Sequence, residues 1–221
     1  MNVLVFAPHA DDEILGVGGS IAKHIAAGDD VYVCIATRPT PPVFSDELFE
    51  RIRKETLAAH KFLKIKKTFF LEYPAVALES VPRTKLNGDI LAVINEVKPD
   101  IVYMPHFGDM QKDHTLIAEA VMVAVRPKQA HKIKKVLAYE TLSETEWNVP
   151  HSSTAFIPNV YTDISDTLDA KLKAMSFFES QLADFPCPRS IKAIESLARL
   201  RGSTIFADAA ESFMLIREVN I

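Results

Sequence analysis

The chain is predicted to fold as an α/β protein: a Rossmann-like, doubly wound and mostly parallel sheet with helices on both faces. Three observations predict this. Over residues 1–139, short apolar runs rich in β-branched residues alternate with amphipathic stretches of helical period. The runs end in turns marked by proline or by clustered polar side chains. At 221 residues, with 48% hydrophobic and 24% charged residues, the chain suits one domain with a substantial core and is short for two.

Val3 to Ala7 reads as a buried strand that stops at Pro8, and a helical pattern then runs through Ile14, Leu15, Val17, Ile21 and Ile25. Gly28 closes that helix. Val31 to Thr37 is a second buried strand, and Arg38 to Ser45, with three prolines, is its loop. Ser45 or Asp46 caps a helix reaching about Leu63. Thr68 to Leu71 makes a third strand, followed by a loop over Tyr73 to Pro82 and a helix through Leu86, Ile90, Ile94 and Val97. Asp100 to Pro105 is the fourth strand, and its loop leads into a helix of Leu116, Ile117, Val121 and Val125 that stops at Pro127. Val136 to Tyr139 is the fifth. From about residue 140 the pattern changes to a C-terminal elaboration of the same domain: an irregular stretch over Thr141 to Pro158, a short strand near Val160 to Ile164, and helices over about Asp166 to Gln181 and Arg189 to Arg201. Phe213 to Ile216 closes the sheet as an edge strand.

Composition excludes several classes. A net charge of −4 gives no general basic character for nucleic acid, and the short clusters at Lys64–Lys67 and Lys132–Lys135 read as solvated turns before strands. No apolar run approaches the ~20 residues of a membrane span, and no basic, then apolar leader precedes the first strand. Two cysteines, Cys34 in a strand and Cys187 in a loop, suggest neither a disulfide scaffold nor a thiolate metal site. A cytoplasmic location is the expectation. Gly16-Val17-Gly18-Gly19 lacks the spacing of a dinucleotide loop, and the carboxylates before it would repel a pyrophosphate; these glycines are read as close helix packing on the sheet.

Chemistry gathers after strands one and four. His9, Asp11, Asp12 and Glu13 lie within five positions at the carboxyl end of a buried strand, where ligands sit in open α/β sheets. So many ionisable groups there are costly unless offset, and a metal ion is the obvious offset. The other such cluster is His106 to His114, after strand four. His9, Asp12 and His114 would supply nitrogen, oxygen and nitrogen donors, and three protein ligands leave one tetrahedral position open, as in catalytic zinc sites. Iron(II) also suits N/O ligation.

Pro8-His9-Ala10-Asp11-Asp12-Glu13 resembles the His-Pro-Asp-Asp-Glu signature of the LmbE-like, PIG-L family of zinc-dependent N-acetyl-sugar deacetylases, with Ala10 in place of a proline. Asp109-Met110-Gln111-Lys112-Asp113-His114 resembles the family's second signature, Asp-x-His-x-Asp-His, with Gln111 where the first histidine stands. Tyr139-Glu140-Thr141-Leu142-Ser143-Glu144-Thr145-Glu146-Trp147, and later Arg189-Ser190, Arg201-Gly202 and Ala210-Glu211-Ser212-Phe213, resemble segments of its polysaccharide-processing branch. The resemblance implies removal of acetyl from an N-acetylated amino sugar or its conjugate, a small-molecule substrate, and assembly into a homo-oligomer as is common in the family.

Asp11 is then the general base beside Asp12, since neighbours in a turn point in different directions; the plain alternative is a helix N-cap. Glu13 either orients a ligand histidine or favours the helix N-terminus by its charge. Asp113 either buttresses an imidazole or contacts substrate. Gln111 can donate an amide hydrogen bond to an oxyanion or a sugar hydroxyl but cannot act as acid or base. His106 is a neighbour of the site or a strand terminator. Glu140 and Trp147 are placed in the sugar pocket, with plain packing the alternative for Trp147. Arg53 reads as a helix-surface charge, and His24, His60, His131 and His151 as exposed or packing residues. A metal-dependent amidase on another small N-acyl compound, and a non-catalytic sugar- or metal-binding protein, are the rival functions.

Overall fold

The computed structural model describes residues 1–128 and 131–220. Its seven strands form a single sheet: β1 (Asn2–Ala7), β2 (Asp30–Arg38), β3 (Lys67–Pro74), β4 (Ile101–Pro105), β5 (Lys135–Tyr139), β6 (Val160–Asp163) and β7 (Ala210–Glu218), in the order β3-β2-β1-β4-β5-β7-β6. The first five are parallel, while β7 runs antiparallel to both β5 and β6. The expected mostly parallel, doubly wound α/β fold is therefore present.

Both faces are covered, which is why β1 reads as continuous apolar sequence rather than as an alternation. Val3, Val5 and Ala7 pack with α1 (Asp12–Ala26), α2 (Asp46–Leu63), α5 (Leu168–Met175) and α6 (Ile191–Ser203). Leu4 and Phe6 face the other way, into α3 (Arg83–Val97) and α4 (Lys112–Ala124). β1 lies between β2 and β4, at the point where strand order turns from descending to ascending. The loops after β1 and β4 are thereby neighbours, and the crevice between them is where this topology places a ligand.

Three expectations are corrected. The last strand is interior, because β6 pairs outside it and forms the edge. The helix expected over 166–181 is α5, only Leu168–Met175; beyond it the chain turns and sinks Phe178 fully into the core. β3 extends to Pro74, since pairing with β2 resumes after a bulge at Thr37↔Tyr73 and Arg38↔Pro74.

The glycines of α1 act as read. A Cβ on Gly16 would lie 2.2 Å from the ring of Tyr139, and one on Gly19 2.7 Å from Ile164. Next to them a charged pair enters the helix. Leu15 carbonyl and Gly19 N–H, which an ideal helix joins directly, also meet Lys171 Nζ (2.7 Å) and Glu211 Oε1 (2.9 Å), and Glu211 accepts from Ser20 N–H as well. Lys171 and Glu211 are both buried and 2.6 Å apart. Among the described residues, no helix is long and apolar enough to cross a membrane.

Candidate metal centre and active site

β1 delivers the chain into a turn that is held from several sides. Pro8 carbonyl accepts from Thr37 N–H (3.0 Å) and Thr37 hydroxyl (2.8 Å). Asp11 then adopts φ 113°, a backbone region that non-glycine residues reach only with strain of about 1–3 kcal/mol. Its carbonyl accepts from Ile14 and Leu15 N–H and so starts α1, but its carboxylate makes no capping bond. The N-cap alternative for the side chain is thereby removed. Glu13 supports the turn: Oε2 accepts from Asp11 N–H (3.1 Å), and Oε1 lies 2.9 Å from His60 Nε2, whose other nitrogen meets Thr68 Oγ1 at 2.7 Å. Glu13 therefore orients His60 and the strained peptide, not a ligand histidine, and His60 is a buried member of this network.

From the β4 side, Gln111 caps α4 through its own side chain, with Oε1 accepting from Asp113 N–H at 2.7 Å. The helix begins there and projects His114 into the crevice. His9 and His114 are brought together, ring centroids 5.3 Å apart, with Asp12 between them. Asp12 Oδ2 is 3.3 Å from His9 Nδ1 and 3.2 Å from His114 Nε2. The three residues each offer a donor atom, all within 4.8 Å of one another.

Their outward-facing atoms are fixed by other groups. His114 Nδ1 meets Asp109 Oδ2 at 2.8 Å, and Asp109 accepts from Thr145 Oγ1 through its other oxygen (2.6 Å). His9 Nε2 lies 3.0 Å from Asp113 Oδ2, and Asp113 is itself held by Val76 and Leu78 N–H. Asp113 thus buttresses an imidazole, and Gln111 Nε2 stands 3.2 Å from the same His9 nitrogen. Carboxylates behind ligand histidines are a common way of fixing tautomer and ring orientation.

The donor set fits a divalent cation. Asp12 Oδ1 and His114 Nε2 are buried and have no hydrogen-bond partner among the described residues; the 3.2 Å approach of His114 Nε2 to Asp12 Oδ2 is out of line for a hydrogen bond. An unpartnered buried nitrogen and an unpartnered buried carboxylate oxygen on adjacent side chains are both satisfied by a bound cation.

Electrostatics point the same way. Burial works against a charged His9, but hydrogen bonds to Asp113 and Asp12 outweigh it and raise its pKa to about 9. His114 is raised to about 10, burial being overcome by the charge of Asp12 and the bond to Asp109. Burial would raise Asp12, yet the two imidazoles hold it well below the usual range. Burial pushes Asp11 up to about 8 against the pull of Arg189. In metal-free protein these shifts set a pH dependence. Imidazoles raised above their unfolded value of ~6.5 contribute stability that is complete below pH ~6.5 and lost as pH rises through 9 to 10. Asp11, also raised, acts in the same direction between pH ~4 and 8. The melting temperature of chelator-treated protein should therefore fall steadily from pH 6.5 to 10, as read by scanning calorimetry. A flat or rising profile would contradict this charge arrangement.

Two residues with evident contacts, Asp109 and Arg189, stand in the sequence analysis only inside the segments that carry the family resemblance, without a role of their own. Asp109 was legible as a carboxylate five positions before His114. Arg189 belongs to a quoted segment, but nothing local ties it to Asp11, 178 residues away: its Nη1 donates to Asp11 Oδ2 at 2.7 Å, and Nε donates to Ser143 Oγ at 3.0 Å. Asp11 Oδ1 remains buried without a partner among the described residues. His9, Asp11, Gln111, Glu144 and Arg189 line a cavity of about 290 Å³ that extends across the ends of β2 and β3. Arg53, read as a surface charge, also lines it. Glu140 and Trp147 do not. Glu140 accepts two bonds from Arg201 (2.8 and 2.6 Å) and one from Ser212, and Trp147 is 74% exposed. His106 is buried behind the site, its Nε2 2.9 Å from Thr154 carbonyl.

Sheet topology and donor set together describe an α/β protein with, at its switch point, two histidines and one carboxylate that could hold a metal ion. The chain belongs to the PIG-L family, whose model, described as GlcNAc-PI de-N-acetylase, matches residues 4–125. It is 30% identical over 206 residues to the diacetylchitobiose deacetylase of Thermococcus kodakarensis, covering 83% of this chain and 71% of that one. It is 27% identical over 194 residues to a probable N-acetyl-alpha-D-glucosaminyl L-malate deacetylase 2 of Bacillus anthracis, covering 82% of each. Among solved structures, the N,N'-diacetylchitobiose deacetylase of Pyrococcus horikoshii superposes with a TM-score of 0.76 at 23% identity, over 97% of this chain and 83% of that one. That likeness shows the shared fold.

Proposed function

We propose that the protein is a zinc-dependent N-deacetylase that removes the acetyl group from an N-acetylated amino sugar or a conjugate carrying one. The observation that carries this reading is the convergence of His9, Asp12 and His114 donor atoms within 4.8 Å, beside an Asp11 oxygen left free. Deacetylase relatives spanning most of the chain support the reaction class.

His9, Asp12 and His114 would hold the cation, which when bound polarises the acetamide carbonyl and the attacking water. Asp109 and Asp113 keep the two imidazoles oriented. Arg189 occupies Asp11 Oδ2, so Oδ1 is the oxygen that takes the proton from water as it attacks the carbonyl carbon. The same oxygen then returns that proton to the departing amine. Gln111 and Arg189 are donors at the cavity wall for the oxygen on which negative charge develops. In the same reading the chain works in the cytoplasm as one domain, with both cysteines free.

Acetate release from a panel of N-acetyl sugars, with chelator and with added Zn²⁺, tests the proposal. Release from sugars that is abolished by chelation and restored by zinc is the expected result. Release only from other N-acyl amides would replace the sugar substrate, and binding without release would leave a sugar- or metal-binding protein.

A further inference from the structure

The cavity lined by His9, Asp11 and Arg189 has a second, chemically different wall on its β3 side. Phe44, Phe49 and Phe70 line it, with Arg38 and Arg53 among them. The Arg38 guanidinium lies 4.8 Å from the Phe49 ring centroid; Arg53 lies 5.1 Å from Phe49 and 3.5 Å from Phe70. Arg38, Phe49, Arg53 and Phe70 thus alternate flat cation and phenyl ring.

Charge at this wall is unbalanced. Glu72 is the carboxylate that ion-pairs with both guanidiniums. Arg38 Nε is buried, 3.3 Å from Glu72 and out of line, and has no hydrogen-bond partner among the described residues. At this wall one positive charge has no counter-carboxylate, and one buried donor has no partner, among the described residues. A second sugar ring there could lay a C–H face on a phenyl ring and meet some guanidinium N–H groups with its hydroxyls, but it brings no charge to answer the unpaired one. A flat π system continues the stack, and guanidinium planes accept such rings on their faces. An anionic substituent on that ring answers the unpaired charge.

We propose that the amino sugar processed here carries an aromatic, negatively charged aglycone, seated on the stack of Arg38, Phe49, Arg53 and Phe70. The inference rests on the deacetylase reading for the sugar end and on this wall for the other.

The test compares kcat/KM for acetate release from N-acetylglucosamine, its 4-carboxyphenyl glycoside and N,N'-diacetylchitobiose. Binding of the already deacetylated 4-carboxyphenyl glycoside to metal-free protein is measured in parallel by titration calorimetry. The aryl glycoside should exceed the other two substrates by about ten-fold, mostly through KM. Phe49→Ala should bring that ratio to within about two-fold, as expected if the stack supplies the stacking energy. Arg38→Leu, at a partly exposed strand end, should lower the same ratio and serves if the first variant does not fold. Equal values for the three substrates, a preference for the disaccharide, or a preference unchanged in a folded variant would overturn the subsite. Binding of the aryl glycoside without acetate release from any substrate would overturn the deacetylase reading and leave the subsite standing. Neither binding nor release would overturn both.

Discussion

Asp11→Asn is expected to lower kcat by about 10²–10⁴-fold while the protein still binds one divalent ion per chain. The two halves of that result come from different atoms. The donors proposed for the cation belong to His9, Asp12 and His114, and none is removed. The carboxylate that is removed is fully buried, held at one oxygen by Arg189 and free at the other. Asparagine keeps the size and can still accept from Arg189, but it cannot take a proton. His114→Ala is the contrasting control: it deletes a proposed ligand, so metal content and activity should fall together. Metal analysis by mass spectrometry beside steady-state kinetics separates the two. Retained turnover in Asp11→Asn would remove Asp11 from the role of base, and loss of metal in that variant would move it into the ligand set.

The second large effect is on stability and lies away from the cavity. Glu211→Ala is expected to destabilise the protein by about 3–5 kcal/mol, because it strands a buried Lys171 ammonium. It also deprives Gly19 and Ser20 N–H of the carboxylate they donate to inside α1. For a chain of this size that corresponds to a fall in melting temperature of about 10 °C. Lys171→Met should cost less, since Glu211 keeps those two backbone donors. Equal losses in the two variants, or a negligible loss in the first, would show that the pair does not support the helix in this way.

How much was legible varied with the range of the interaction. Periodicity located α1 to α4 and β1 to β5, because each buries one face or both against its neighbours and local sequence records that. It misplaced the C-terminal strand, since whether β7 is interior or edge depends on where β6 pairs, and neither strand's own composition contains that. It overran α5, whose end is set by the burial of Phe178 rather than by a breaker residue. In the site, the side-chain cap at Asp11 is excluded by the absence of a capping bond, Glu13 meets His60 rather than a histidine of the metal cluster, and Asp113 meets His9, each a contact that local sequence does not contain.

The sequence by itself determined the two loops, their residue types and the strands that present them, because strand ends, turn residues and clustered ionisable groups are local facts. Only the tertiary structure decided that the loops face each other, that Arg189 reaches Asp11, and that Glu140 and Trp147 lie elsewhere. The physical reason is that hydrogen bonds and ion pairs act over about 3 Å in space, whatever the separation along the chain.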